Sequence, residues 1–110
     1  MKLRRSFVTN SSSTSYIITN TSETEKTLVD FAKENIHLLH DFNHYYSYNY
    51  TEEEFLKSVE ENNILFRPRE TRICVFGDED GTIVGHVYDY VLREGGESKS
   101  WKWSFHEFLR

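Results

Sequence analysis

An apolar stripe of helical period runs through the segment from Ser22 to Tyr46. On a helical wheel its members fill about half of the circumference, and they are Leu28, Val29, Phe31, Ala32, Ile36, Leu38, Leu39 and Phe42. Ser22 and Glu25 have the spacing of a capping box, in which a hydroxyl and a carboxylate satisfy the first backbone N–H groups of a helix. We therefore predict one helix over 22–46, with a face wide enough to pack on a sheet.

The rest of the chain alternates a second helical pattern with strand patterns. Thr51 and Glu54 form another capping box, which predicts a helix from Thr51 to Asn62. Runs rich in β-branched and aromatic residues predict four strands, namely Tyr16–Thr19, Ile73–Phe76, Thr82–Arg93 and Ser98–Phe108. Together these elements predict an α+β fold, with a three- or four-stranded, largely antiparallel sheet and two helices packed on one face.

Length, charge and cysteine content restrict the class of protein. A chain of 110 residues is expected to form a single domain, led by a polar, Ser/Thr-rich segment over residues 1–15. The formal net charge of -5 is the wrong sign for general binding to nucleic acid. No apolar run approaches the roughly 18 residues of a membrane helix. The only cysteine, Cys74, fits a reducing compartment, so we expect a cytoplasmic protein that binds neither nucleic acid nor membrane.

The N-terminal run carries a resemblance to known sequences. Residues 7–17 read F-V-T-N-S-S-S-T-S-Y-I. The run resembles the opening F-V-T-N-S-S-S-S-S-F/Y-I of small bacterial and phage proteins with no assigned function, and it departs from that pattern at Thr14. The resemblance suggests a bacterial or phage accessory protein and implies no activity, cofactor or site residue.

Two groups of side chains leave an enzymatic alternative open. His37, His40 and His44 share one helical face, and the i, i+4 pair has the spacing of two ligands to one metal ion. Asp78 and Asp80 follow an apolar strand in a D-x-D-G-T-I string that resembles the first motif of haloacid-dehalogenase-type phosphatases. These residues suggest a small metal-dependent hydrolase. A solvated helix face and an Asp-Gly hairpin turn are the competing interpretations, and we assign no catalytic, metal or cofactor residue.

The predicted C-terminal hairpin supplies the interaction hypothesis. If the strands over 82–93 and 98–108 pair across the turn, Tyr90 lies opposite Trp101 and Tyr88 opposite Trp103. Both faces of such a sheet are partly apolar and only two helices are available, so either the helices cover this aromatic ladder and leave the Val/Ile face half-exposed, or the ladder itself stays exposed. Exposed Trp and Tyr dominate many protein contacts. We therefore expect a non-enzymatic interaction module that uses these four residues to bind a protein partner or a second copy. A tyrosine-rich loop over 45–50 is expected to lie beside them.

Overall fold

The computed structural model describes residues 13–77 and 81–109, which form ten elements. The strands are β1 (Ser13–Asn20), β2 (Lys26–Thr27), β3 (Leu65–Phe66), β4 (Thr71–Gly77), β5 (Gly96–Glu97) and β6 (Trp101–Leu109). The helices are α1 (Leu28–Glu34), α2 (His37–Tyr46), α3 (Glu52–Glu61) and α4 (Ile83–Val91). Within the described residues, no helix has the length and apolar character that crossing a bilayer requires.

The main sheet has four antiparallel strands in the order β4-β1-β6-β5, and β2 pairs with β3 in a separate two-stranded sheet. Side chains alternate across β1, so that Tyr16 and Ile18 enter the core while Ile17 lies on the opposite face. The helices cover the core side. This confirms the predicted α+β class and the one-sided packing, although the described chain has four helices rather than two.

The predicted polar segment over residues 1–15 overlaps β1. The strand begins at Ser13, three residues before the predicted start at Tyr16, and Thr14 and Ser15 are buried. Thr14 is satisfied inside the domain by a hydrogen bond to Asp89. A buried hydroxyl can occupy a core-facing position of a strand, as an apolar side chain does, provided that it has a hydrogen-bond partner.

The prediction of a single helix over 22–46 is wrong at its start and at its middle. The Ser22 hydroxyl bonds within a local turn around Asn20, and the capping box is formed by Thr27 and Asp30 at the start of α1. Asn35 then ends α1, and its amide Nδ2 donates to the carbonyl of Phe31. Such side-chain bonds to the backbone compete with the continuing helix. The prediction for α3 is confirmed, including the box between Thr51 and Glu54.

The predicted strand over 82–93 is wrong, because this segment is the helix α4. The Thr82 hydroxyl accepts from the N–H of Gly85, which is a side-chain N-cap. Val84, Val87 and Tyr88 are buried at the i, i+3, i+4 spacing of a helix. Gly81, just before the cap, has φ +72. Its left-handed backbone leads into a helix, so Ile83–Val91 cannot be the second strand of the predicted Asp-Gly hairpin.

Phe31 on α1 is the centre of the aromatic core. Its ring centroid lies 5.3 Å from those of Trp101 and Trp103 and 5.5 Å from that of Tyr88, all in edge-to-face geometry. Edge-to-face pairs add to the free energy that burial alone supplies. The core therefore joins α1, α4 and β6 through a single ring.

Candidate interaction surface

Three of the four residues predicted to bind a partner lie in the core. Trp101 is 0% exposed, Tyr88 1% and Trp103 6%. The prediction that they form an exposed aromatic ladder is wrong, because α4 replaces the strand that would have carried the two tyrosines. Tyr90, two positions after Tyr88, points to a different side of α4 and is half-buried. Tyr90 is the one predicted residue that remains accessible.

A chain of aromatic contacts continues from Tyr90 over the outside of the domain. We define the aromatic–arginine surface as the residues that form this chain, which are Tyr46, Tyr90, Arg93, Phe105 and Phe108. The ring centroids of Tyr46 and Tyr90 are 5.2 Å apart, and those of Phe105 and Phe108 are 4.9 Å apart. Phe108 is 61% exposed, and Tyr46 is also exposed. The surface thus draws on α2, α4 and β6 and on Arg93, just beyond the end of α4.

Arg93 joins the two halves of this surface. Its guanidinium carbon lies 4.7 Å from the ring centroid of Tyr90 and 5.1 Å from that of Phe108. Both distances lie within the range of cation–π attraction. The guanidinium Nε also donates to the backbone carbonyl of Asp89 at 2.8 Å, and Nη2 lies 3.4 Å from the Asp89 carboxylate. The cation is therefore fixed in place between two rings.

The carboxylate that holds Arg93 is fully buried. Asp89 is 0% exposed, and its Oδ1 accepts a 2.5 Å hydrogen bond from the Thr14 hydroxyl. The Tyr16 hydroxyl donates to the Asp89 carbonyl at 2.7 Å. Burial raises the pKa of Tyr16 to about 12, so this phenol stays protonated as a donor. β1 therefore positions Asp89, and Asp89 positions Arg93.

A groove beside the surface has a volume of about 430 Å³. Tyr45, Tyr46 and Tyr90 line one part of it, and Asp41, Arg93 and Glu94 supply charged groups. The predicted tyrosine loop thus contributes Tyr46 to the surface and Tyr45 to the groove. A concave site with aromatic walls and a few charged groups suits a protruding side chain of another molecule.

The described residues of the enzymatic alternative form no metal site. His37, His40 and His44 are exposed on α2, and His40 Nε2 lies 2.6 Å from the carboxylate of Glu52. Within the described residues, no group of three or more His, Cys, Asp or Glu side chains is placed to hold a metal ion. Asp78 and Asp80 lie outside the described residues. The described geometry therefore gives the metal-dependent hydrolase no support.

The sequence patterns missed Arg93, Phe105 and Phe108 as surface residues. Phe105 is paired with Tyr16 across β1 and β6. A register shift in β6 between the partners of Ser15 and Tyr16 then places Phe108 opposite Thr14, on the same side as Phe105. An irregularity of this kind has no local sequence signal.

Comparison of the chain with protein-family models, with curated proteins and with solved structures found no match.

Proposed function

We propose that this chain is a small, non-enzymatic, cytoplasmic protein-interaction module that binds its partner through the aromatic–arginine surface. The observation that carries the proposal is the guanidinium of Arg93 between the rings of Tyr90 and Phe108. Tyr and Arg are enriched among the residues that contribute most to protein binding. A contiguous exposed aromatic surface on a single domain is typical of a contact site.

The preorganisation of Arg93 supports the same proposal. A free arginine side chain loses conformational entropy when it is fixed on binding. Here the contacts with Asp89, Tyr90 and Phe108 hold it before any partner arrives, while about a third of the side chain stays exposed. Binding would therefore cost less side-chain conformational entropy at Arg93 than at a mobile arginine.

Charge favours a protein partner over nucleic acid. The chain has net charge -5, and Asp41 and Glu94 line the groove next to Arg93. Phosphate backbones are bound by clusters of Lys and Arg, whereas here carboxylates flank the single guanidinium. A partner with its own apolar and polar groups matches this mixture. We propose a cytoplasmic location because the single cysteine, Cys74, is a buried free thiol, which fits a reducing compartment.

Comparative affinity purification tests the proposed function. The Tyr46→Ala/Phe108→Ala variant removes one exposed ring on each side of Arg93, and Leu65→Ala removes an exposed apolar side chain from β3 as the control. We expect a defined protein to co-purify with the wild type and the control and to lose at least about tenfold in affinity for the double variant. The proposal is wrong if every protein that co-purifies binds all three forms equally.

A further inference from the structure

The outer edge of β4 is open. β4 is the last strand of the main sheet, and no other strand of the described chain pairs with that edge. Seven residues of regular strand form it, from Thr71 to Gly77. An open edge of this length presents unpaired backbone donors and acceptors in a row, which is the arrangement that binds another strand.

The pairing pattern identifies which backbone groups point outward. The Asn20 N–H donates to the Glu70 carbonyl at 2.9 Å, so this pair is bonded across β1 and β4. Bonded and non-bonded pairs alternate in antiparallel strands. With the register of Tyr16 opposite Cys74, the even-numbered residues of β4 therefore bond to β1. Thr71, Ile73 and Val75 consequently turn their N–H and C=O groups toward the open edge.

The side chains of the same three residues lie on the face of the sheet that the helices leave open. Ile73 is 59% exposed and Val75 50% exposed, and Thr71 is exposed as well. Ile17 of β1 is the cross-strand partner of Ile73. The residues of β1 and β4 on this face carry no charge, and they are Ser13, Ser15, Ile17, Thr19, Thr71, Ile73 and Val75. On this part of the described face, no charged side chain is present that would repel another strand.

We propose that β4 pairs antiparallel with β4 of a second copy of this chain, about a two-fold axis at Ile73. In this register the outward groups of Thr71, Ile73 and Val75 meet those of Val75, Ile73 and Thr71 in the second copy. The pairing forms about six backbone hydrogen bonds. The two sheets become one continuous eight-stranded sheet with an aliphatic strip along its open face.

The symmetric pattern of outward backbone groups and the position of the one charged residue in β4 favour a second copy as the occupant. Arg72 is the only charged residue within β4. In the register centred on Ile73 it lies opposite Cys74 of the second copy, so no like charges face one another. A register centred on Arg72 would oppose two guanidinium groups directly and is excluded for that reason. The edge is thus self-complementary in its backbone hydrogen bonding, and this register places no like charges directly opposite one another.

The association is expected to be weak. Stable dimers bury about 800 Å² per partner, and a single strand edge supplies less than that. The monomer and dimer should therefore exchange within the micromolar to millimolar range of concentration. The site is separate from the aromatic–arginine surface, so either proposal can fail without the other.

Sedimentation equilibrium between about 10 μM and 1 mM tests self-association. The wild type is expected to shift toward the dimer mass as concentration rises. Ile73→Lys places a charge at the centre of the pairing and should weaken dimerisation at least tenfold, whereas Ser104→Lys adds the same charge on the same face in β6 and should dimerise like the wild type. A wild type that is monomeric throughout, or an Ile73→Lys variant that dimerises equally well, overturns the proposal.

Disulfide formation tests the register. In a Cys74→Ala background, Ile73→Cys would bring two thiols together across the two-fold axis at a Cα separation near 5.5 Å, within the range for a disulfide. We expect this variant to cross-link under mild oxidation at concentrations where it is dimeric, and Ser104→Cys in the same background to remain uncross-linked. A dimer that forms no Ile73→Cys cross-link, or equal cross-linking at both positions, overturns the pairing.

Discussion

The hydroxyl of Thr14 on β1 donates a 2.5 Å hydrogen bond to the carboxylate of Asp89 on α4, inside the domain. This bond joins the centre of the sheet to the helix that carries the aromatic–arginine surface. Asp89 in turn accepts from Arg93 through its backbone carbonyl. A buried carboxylate needs several donors to offset its loss of hydration. The position of Arg93 therefore depends on a hydroxyl from the opposite side of the core.

Removal of that hydroxyl tests the network. Thr14→Val keeps the shape of the side chain and leaves a buried carboxylate oxygen with one donor fewer. We expect the free energy of unfolding to fall by about 1 to 3 kcal/mol, as measured by chemical denaturation. Thr19→Val is the control, since its hydroxyl bonds to Thr71 on the exposed face. Equal losses in the two variants would contradict the special role of Thr14.

Glu34 supplies an acid-dependent contact between α1 and the β5–β6 turn. Partial burial opposes ionisation, but hydrogen bonds from Ser98 and Ser100 outweigh it and lower the pKa of Glu34. A lowered pKa in the folded state means that the contribution is present above the unfolded pKa of about 4.3 and is lost as pH falls below it.

Glu34→Gln should therefore lower the melting temperature at pH 7 and have a smaller effect near pH 3. Because Glu34 is exposed, the loss at neutral pH should not exceed about 1 kcal/mol. Thermal unfolding followed by circular dichroism measures this. Glu60→Gln, on the exposed side of α3, controls for net charge. If the difference in melting temperature between the Glu34 and Glu60 variants grew as pH falls, the predicted direction of the pH dependence would be wrong.

Cys74 should react slowly with thiol reagents in the native protein. Burial raises the pKa of its thiol to about 11, so little thiolate is present at pH 8. We expect labelling by a chromogenic disulfide to be at least about tenfold slower in native protein than in denaturant. Equal rates would show that the core side of β4 opens readily and would contradict the packing described for Cys74.

Local patterns predicted only some of the stabilising contacts that are close in sequence, and they missed the capping box of Thr27 and Asp30 in α1. The α3 capping box joins Thr51 to Glu54, only three residues away. α4 was mispredicted because Ile83–Val91 fits both a strand and a helix pattern, and because its start is held by a contact distant in sequence as well as by the Thr82 cap. The N–H of Val84 donates to the hydroxyl of Ser58 on α3, 26 residues earlier in the chain. No local pattern contains that contact.

The sequence predicted an aromatic interaction surface as a type of site, but it did not predict which residues lie on it. Its abundance of aromatic residues indicated a binding surface, but which rings stay outside depends on α4 and on the register shift in β6. Tyr88 and Tyr90 are two positions apart, which is the same face in a strand and different faces in a helix. The error in the secondary structure of α4 therefore caused buried residues to be predicted as exposed.

Hydroxyl-radical footprinting with residue-level mass spectrometry tests most directly which aromatic residues form the surface. Phe108 and Tyr46 are exposed, whereas Trp101 and Trp103 are buried, although indole is intrinsically at least as reactive as the other rings. We expect rapid oxidation of Phe108 and Tyr46 in native protein and protection of both indoles until the domain unfolds. Native oxidation of Trp101 and Trp103 at the rate of the unfolded chain would contradict the account.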